Sequence, residues 1–309
     1  MKPLSFLVTA LFFGALSSCN RDDRSGDAPK APAGNGRIQV HVVNYPLAYF
    51  AERIGGTEVD VIFAAPKDED PAFWQPTDAQ IAAFQSADLI VMNGATYSKW
   101  AEKVSLPESK LLDTSAGFKA QLIEVKETTT HSHGKAGEHS HAGTAFTTWL
   151  DFKQALQQAD AIREALQKLR PEQIELFALN FDLLKTDLLA LDKEMEAIGK
   201  KLATQPLMAS HPVYQYFARR YQLNLRDVLW EPEVVPTDAQ MEDLKKILST
   251  HPAKWMLWEG EPAKECVDKV KALGLESAIF DPCGNVPEKG SWLDVMKANL
   301  AEMRRVAGM

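Results

Sequence analysis

Four of the seven histidines, His131, His133, His139 and His141, fall within eleven residues of one segment. The segment from Thr128 to Gly143 is otherwise small and polar, with no core-forming residues. Neutral imidazoles suit borderline-soft cations, and zinc, copper and nickel all accept them. Such a tract reads as a surface loop that collects metal weakly, because an unstructured segment loses entropy when it orders around an ion. As a bland alternative, it is a solvated loop with incidental histidines.

A second set of candidates comes from strand ends. In open parallel sheets, ligands bind in the crevice beyond the carboxyl ends of the strands. His211 directly follows an apolar run at 207–210, Glu259 follows 254–258, and Asp281 follows 278–280. Asp68, Glu69 and Asp70 sit in the loop after a run at 59–64. One imidazole and several carboxylates converging on a cleft would form a mixed nitrogen and oxygen cation site. Each residue also has a plainer role: His211 as a structural hydrogen-bonder, Asp281-Pro282 as a turn, Glu259 as half of an ion pair. Trp74, Trp149, Trp230 and Trp258 fall near the same predicted edges, either as core or as stacking surface for an organic chelate.

The elements that would position these residues alternate. Strands are expected at 38–43, 59–64, 88–92 and 122–125, with helices at 47–54 and 77–86. The second half repeats the pattern, with strands at 207–210, 227–229, 254–258 and 278–280 and helices at 213–221, 237–249, 262–273 and 292–306. Alternation of this kind implies parallel sheets flanked by helices. Between the halves, Pro171 suits a first helical position. Leu176, Leu179, Leu183, Leu188, Leu191, Met195, Ile198 and Leu202 then recur at helical spacing. The expected fold is therefore α/β, with two lobes, each a mostly parallel sheet flanked by helices, joined by one long spine helix. The expected boundaries are 37–170, 171–203 for the spine, and 204–309. A spine packed against both lobes would limit hinge opening.

The ends and the charge bound the compartment. Lys2 and the apolar run at 4–15 form a leader too short to remain as a membrane span. Leu16-Ser17-Ser18-Cys19 resembles a bacterial lipobox, which makes 1–18 a signal peptide and Cys19 the lipid attachment point. Residues 19–36 read as a flexible tether to the membrane. The expected location is the bacterial cell envelope, extracytoplasmic or periplasmic. Net charge is −8 without a basic patch, so nucleic acid is excluded as a partner. Cys266 and Cys283 are either paired or free and buried.

Taken in order, these features resemble the metal-binding lipoproteins of zinc and manganese ABC importers, a group that includes bacterial adhesins. The resemblance rests on Asp70-Pro71-Ala72-Phe73-Trp74-Gln75-Pro76-Thr77, Ala87 to Gly94, Trp149-Leu150-Asp151, Ser210-His211-Pro212 through Tyr221, and Phe280-Asp281-Pro282 with Trp292-Leu293 and Asn299-Leu300. It implies one metal held in an interlobe cleft by three histidines, or two and a Glu, plus an acidic residue. The third inherited ligand falls on His211 and the fourth on Asp281. An imidazole at the third place leans toward zinc over manganese or another divalent ion. The resemblance also implies delivery of the ion to an ABC permease.

Two inherited ligands are missing, since Ala72 and Thr147 stand where the family has histidines. Three arrangements remain open. The site is rebuilt from Asp68, Glu69, Asp70 or Glu259 with His211 and Asp281, or a loop histidine completes it, or the centre is degenerate and the protein binds a metal complex. An envelope metal buffer or adhesin-like lipoprotein is the alternative to import. No Gly-rich phosphate loop, nucleophile elbow or Cys-x-x-Cys pair is present, so an enzyme is not expected. A hydrolase using Glu259 as base would need a motif the chain lacks.

Overall fold

Two four-stranded parallel sheets organise the chain, and they share one strand order. The computed structural model describes residues 36–125, 130–132, 138–140 and 143–309. The first sheet holds β1 (Ile38–Val42), β2 (Val59–Phe63), β3 (Leu89–Met92) and β4 (Leu111–Asp113), in the order β2-β1-β3-β4. Its helices are α1 (Tyr45–Gly55) and α2 (Asp78–Ser86). Two short antiparallel pairs follow: β5 (Glu124–Val125) with β8 (Gly143–Thr144), and β6 (Thr130–Ser132) with β7 (Glu138–Ser140). Helices α3 (Phe152–Leu169) and α4 (Ile174–Leu202) lead to the second lobe.

The second sheet holds β9 (Pro206–Ala209), β10 (Asn224–Asp227), β11 (Trp255–Trp258) and β12 (Glu276–Ile279), ordered β10-β9-β11-β12. Its helices are α5 (Gln215–Tyr221), α6 (Asp238–Thr250), α7 (Lys264–Ala272) and α8 (Trp292–Val306). The repetition reaches local sequence: Pro-Thr-Asp-Ala-Gln opens both α2 and α6. In each, the threonine (Thr77 or Thr237) accepts from the backbone three residues on, and the glutamine reaches back to close a capping box. That device satisfies two otherwise orphaned N–H groups and sets where the helix starts.

Several expectations need correction. The fourth strand of the first sheet is Leu111–Asp113, paired with β3 through Ile90↔Leu111, and not 122–125. A half-exposed edge strand of three residues carries little apolar signal, whereas 124–125 pairs instead with 143–144. β10 lies at Asn224–Asp227, earlier than expected, because it pairs in register with β9 from Asn224↔Pro206. Helix α3 was not anticipated. Its buried Phe152, Ala155, Ala159, Ile162 and Leu166 recur at helical spacing, and Asp151 caps it by accepting from the backbone of Lys153 and Gln154.

The spine begins one turn later than expected, with a 3-10 turn at Pro171–Gln173 before α4. Its buried stripe is Phe177, Phe181, Leu184, Leu188, Leu191, Met195, Ile198 and Leu202. Leu179 and Leu183, assigned to the stripe from sequence, are 61% and 58% exposed. Their apolarity fits the pattern, but at 100° per residue they fall off the arc that the two phenylalanines mark.

Helix α4 packs against α1 and α3 of the first lobe region and against α5 and α8 of the second. The approach is close at Gly199, where a Cβ would stand 2.6 Å from the Tyr221 carbonyl oxygen. Trp292, at the start of α8, lies within ring contact of Tyr49 (5.7 Å), Phe50 (5.1 Å) and Phe152 (6.3 Å). One hydrophobic core therefore runs through both lobes. A second, smaller core covers the outer face of the second sheet. Strand residues alternate between the two, with Met208, Met256 and Trp258 in the outer core and Leu207, Ala209 and Leu257 in the shared one. No helix among the described residues is long and apolar enough to cross a membrane.

Candidate metal-binding cleft

The second sheet changes direction at β9: the chain moves outward to β10 and then returns to β11 on the other side. That reversal leaves a crevice beyond the carboxyl ends of β9 and β11. His211 lies two residues past β9 and Glu259 one past β11. Two backbone hydrogen bonds bring neighbours in. Trp230 N–H donates to the Ser210 carbonyl at 2.7 Å, which sets Glu231 beside His211. Phe280 N–H donates to the Trp258 carbonyl at 2.8 Å, which sets Asp281 near Glu259.

The result is a group of three donors. His211 Nδ1 lies 3.5 Å from Glu259 Oε1 and 3.6 Å from Glu231 Oε1. One ligand atom from each residue lies within 4.8 Å of the others. His211 is 2% exposed, and the glutamate side chains are about one-fifth exposed, at 21% and 20%. An imidazole and two carboxylates at such mutual reach are of the type and spacing that a divalent cation needs.

Charge in the cleft is unbalanced. Burial holds the Glu259 carboxyl well above the usual carboxylate range, and repulsion from Glu231, Asp70, Glu233 and Asp281 pushes it further. Asp281 is also raised by burial, partly offset by the Cys283 N–H that donates to its Oδ1 at 2.6 Å. Tyr214 is raised well above its ordinary value by burial and by Glu259 and Asp281, so it stays a neutral donor to the Phe280 carbonyl at 2.7 Å. A bound cation would remove the like-charge cost on the carboxylates.

The cleft has a volume of about 380 Å³ and is also lined by Glu69, Asp70, Asp281 and Glu233. Glu69 and Asp70 are exposed, and both stand outside the three-donor group. Asp281 lines the cleft but is outside the group as well, and Asp68 is not part of the lining. Ala72 is buried in the core, with its N–H donating to Asp70 Oδ1 at 2.9 Å. Thr147 lines the cleft, and its hydroxyl is committed to the Val213 carbonyl. Of the four tryptophans, only Trp149 lines the cleft, and Trp74, Trp230 and Trp258 are core.

Contacts between the lobes hold the walls. Asn285 donates to the carbonyls of Pro66 (2.7 Å) and Glu69 (2.8 Å), and Trp149 Nε1 donates to Pro282 at 2.7 Å. Tyr45 N–H donates to Gly284 at 2.9 Å. Cys266 and Cys283 are both free and buried, which settles the open question of a bridge. His133, His141, the leader, Cys19 and the tether to residue 35 lie outside the described residues; in the β6–β7 ribbon, His131 and His139 are register partners.

Sequence reasoning missed Glu231 and Glu233. With a strand expected at 227–229, Glu231 falls two residues past its end, so the strand-end rule held a signal for it.

Residues 40–306 match the profile of the family described as ZnuA, zinc-uptake complex component A periplasmic. The "High-affinity zinc uptake system protein ZnuA" of Bacillus subtilis is 25% identical over 310 residues, covering 97% of this chain and 95% of that protein. The "Zinc-binding protein AdcA" of Streptococcus pyogenes serotype M1 is also 25% identical, over 89% of this chain. The chain spans only 57% of that relative's length. Among solved structures, the metal-dependent lipoprotein YcdH from Bacillus subtilis superposes with a TM-score of 0.74 at 22% identity, covering 87% of this chain and 98% of that one.

Proposed function

From the premise that the chain belongs to the ZnuA family, as its match over residues 40–306 shows, we propose that it is an extracytoplasmic zinc-capture protein serving an ABC importer. His211, Glu231 and Glu259 hold the ion as cargo, with Asp281 and Asp70 supplying negative charge around it. The observation that carries this reading is the mutual reach of the three donors, within 4.8 Å, in a cleft whose carboxylates repel one another. Two relatives are named for zinc, and one imidazole with two carboxylates is a set zinc accepts.

Around this centre the remaining assignments follow. Cys19 carries the lipid, residues 19–36 tether the folded part, and a separate permease receives the ion. The histidine-rich segment gathers zinc and passes it to the cleft. Residues 37–170 and 204–309 act as the two walls, with 171–203 as the spine between them.

Zinc titration of metal-stripped protein tests the proposal. One tight equivalent is expected, retained against a tenfold excess of manganese. Absence of any equivalent tighter than the micromolar range contradicts capture.

A further inference from the structure

Resting on the three-donor reading, a coordination problem remains. Zinc takes about four ligands in a closed protein site, yet the group of mutually reachable donors among the described residues contains three. All three come from the second lobe, His211 and Glu259 just past strands β9 and β11 and Glu231 in the loop after β10. Asp281 lines the cleft outside that group, with its Oδ1 accepting from Cys283 N–H, and the Thr147 hydroxyl is committed to Val213. The opposite wall offers no further donor in that group.

That opposite wall is aromatic. Tyr97 packs edge-on to Phe146 at 5.2 Å and to Trp149 at 5.8 Å, and all three line the cleft. The Trp149 hydrogen bond to Pro282 fixes the indole across the lobe boundary. A cleft of about 380 Å³ is within the range of small-molecule pockets, about 300–1,000 Å³. It would hold roughly a dozen waters at about 30 Å³ each, far more than a bare ion requires.

Charge narrows the class of occupant. Glu69, Asp70, Glu233 and Asp281 ring the space, with Lys67 as a basic residue in the lining. Multiply anionic chelators would leave the complex anionic and be repelled, whereas a nitrogen-donor ligand of at most one negative charge leaves the complex cationic, and a planar ring on it presents a face to the aromatic wall.

We infer that zinc enters this cleft as a partial chelate, carrying a small nitrogen-donor ligand with a planar ring, such as an imidazole-bearing amino acid. The ligand completes the coordination shell from the first-lobe side and lies against Tyr97, Phe146 and Trp149. The substrate is thus a ternary complex of protein, zinc and one co-ligand.

Equilibrium dialysis of radiolabelled L-histidine against the metal-stripped full chain tests this, with and without one equivalent of zinc, and with citrate as an anionic competitor. About one histidine per chain is expected to be retained with zinc and none without it. Free histidine should also tighten the zinc titration at least tenfold after correction for zinc–histidine in solution, and citrate should not. Phe146→Ala, a half-buried wall residue, should lower histidine retention about tenfold. If zinc binds one equivalent and no histidine is retained, the inference is overturned while zinc capture stands. If zinc fails to bind with or without histidine, both are overturned.

Discussion

The two lobes place different chemistry at the same topological address. Each sheet reverses direction at its first strand, and each puts a polar residue two positions past that strand and one position past the third. In the first lobe these are Asn44 and Asn93, joined by a 3.2 Å hydrogen bond. Gln158 donates to Asn93 at 3.2 Å and to Thr114 at 2.9 Å, and Asn93 donates to the Phe146 carbonyl at 2.9 Å. In the second lobe the equivalent residues are His211 and Glu259. One crevice is closed by a neutral network that satisfies itself. The other is lined by an imidazole and mutually repelling carboxylates. A shared backbone makes both crevices, and side-chain chemistry decides which one is a site.

Glu259→Gln breaks the comparison most severely, because it makes the second lobe resemble the first. Zinc affinity should fall about 100-fold, or about 2.7 kcal/mol, in a calorimetric titration. The metal-free protein should melt about 2 °C higher, since a buried carboxylate facing like charges is removed. An unchanged affinity would remove Glu259 from the site.

Asn93→Ala probes the other address. It strands the buried amides of Asn44 and Gln158 and should cost about 2 kcal/mol in chemical denaturation. Zinc affinity should change less than about threefold, which is under 0.7 kcal/mol. A loss as large as that of Glu259→Gln would mean the first-lobe network supports the ion directly.

Acid sharpens the contrast. Glu259 and Asp281 hold their protons above the ordinary carboxylate range in the folded protein. Their ionisation therefore disfavours the metal-free fold as pH rises through those raised values, and the cost disappears below the ordinary range. Metal-free stability contributed by these groups should rise as pH falls toward that range, while zinc affinity falls by up to about tenfold per pH unit for each proton displaced. His41, buried against Phe84 and lowered by desolvation, works the other way. Its contribution is intact above its ordinary value and is lost as pH falls below it, so His41→Gln should flatten the acid limb of a melting profile.

Asp70→Asn is expected to be the smallest effect. The residue is exposed at the mouth, so its charge is screened, and zinc affinity should weaken only about threefold, with a shallower salt dependence.

Much of this was legible in the residues. Alternating apolar runs gave both parallel sheets, and the strand-end rule singled out His211 and Glu259, which the fold sets 3.5 Å apart. Glu231 falls just past the expected strand at 227–229, a signal the strand-end rule carries, whereas the Trp230–Ser210 hydrogen bond that seats it beside His211 is a long-range pairing with no local pattern. Helix α3 was missed although its Phe152, Ala155, Ala159 and Ile162 stripe was present, because alanines carry weak periodic contrast. Leu179 and Leu183 were misplaced because leucine spacing fits more than one arc of a long helix, and only packing against α1 and α3 selects among them.

The central claim is that the ion belongs to the second-lobe crevice despite Ala72 and Thr147. Zinc titration of two variants tests it most directly: one lacking 128–143, the other keeping that segment and carrying His211→Ala. The account predicts that the loopless form binds one tight equivalent and that His211→Ala loses it. If instead the loopless form loses all tight binding and His211→Ala keeps it, the crevice is not where the ion is held.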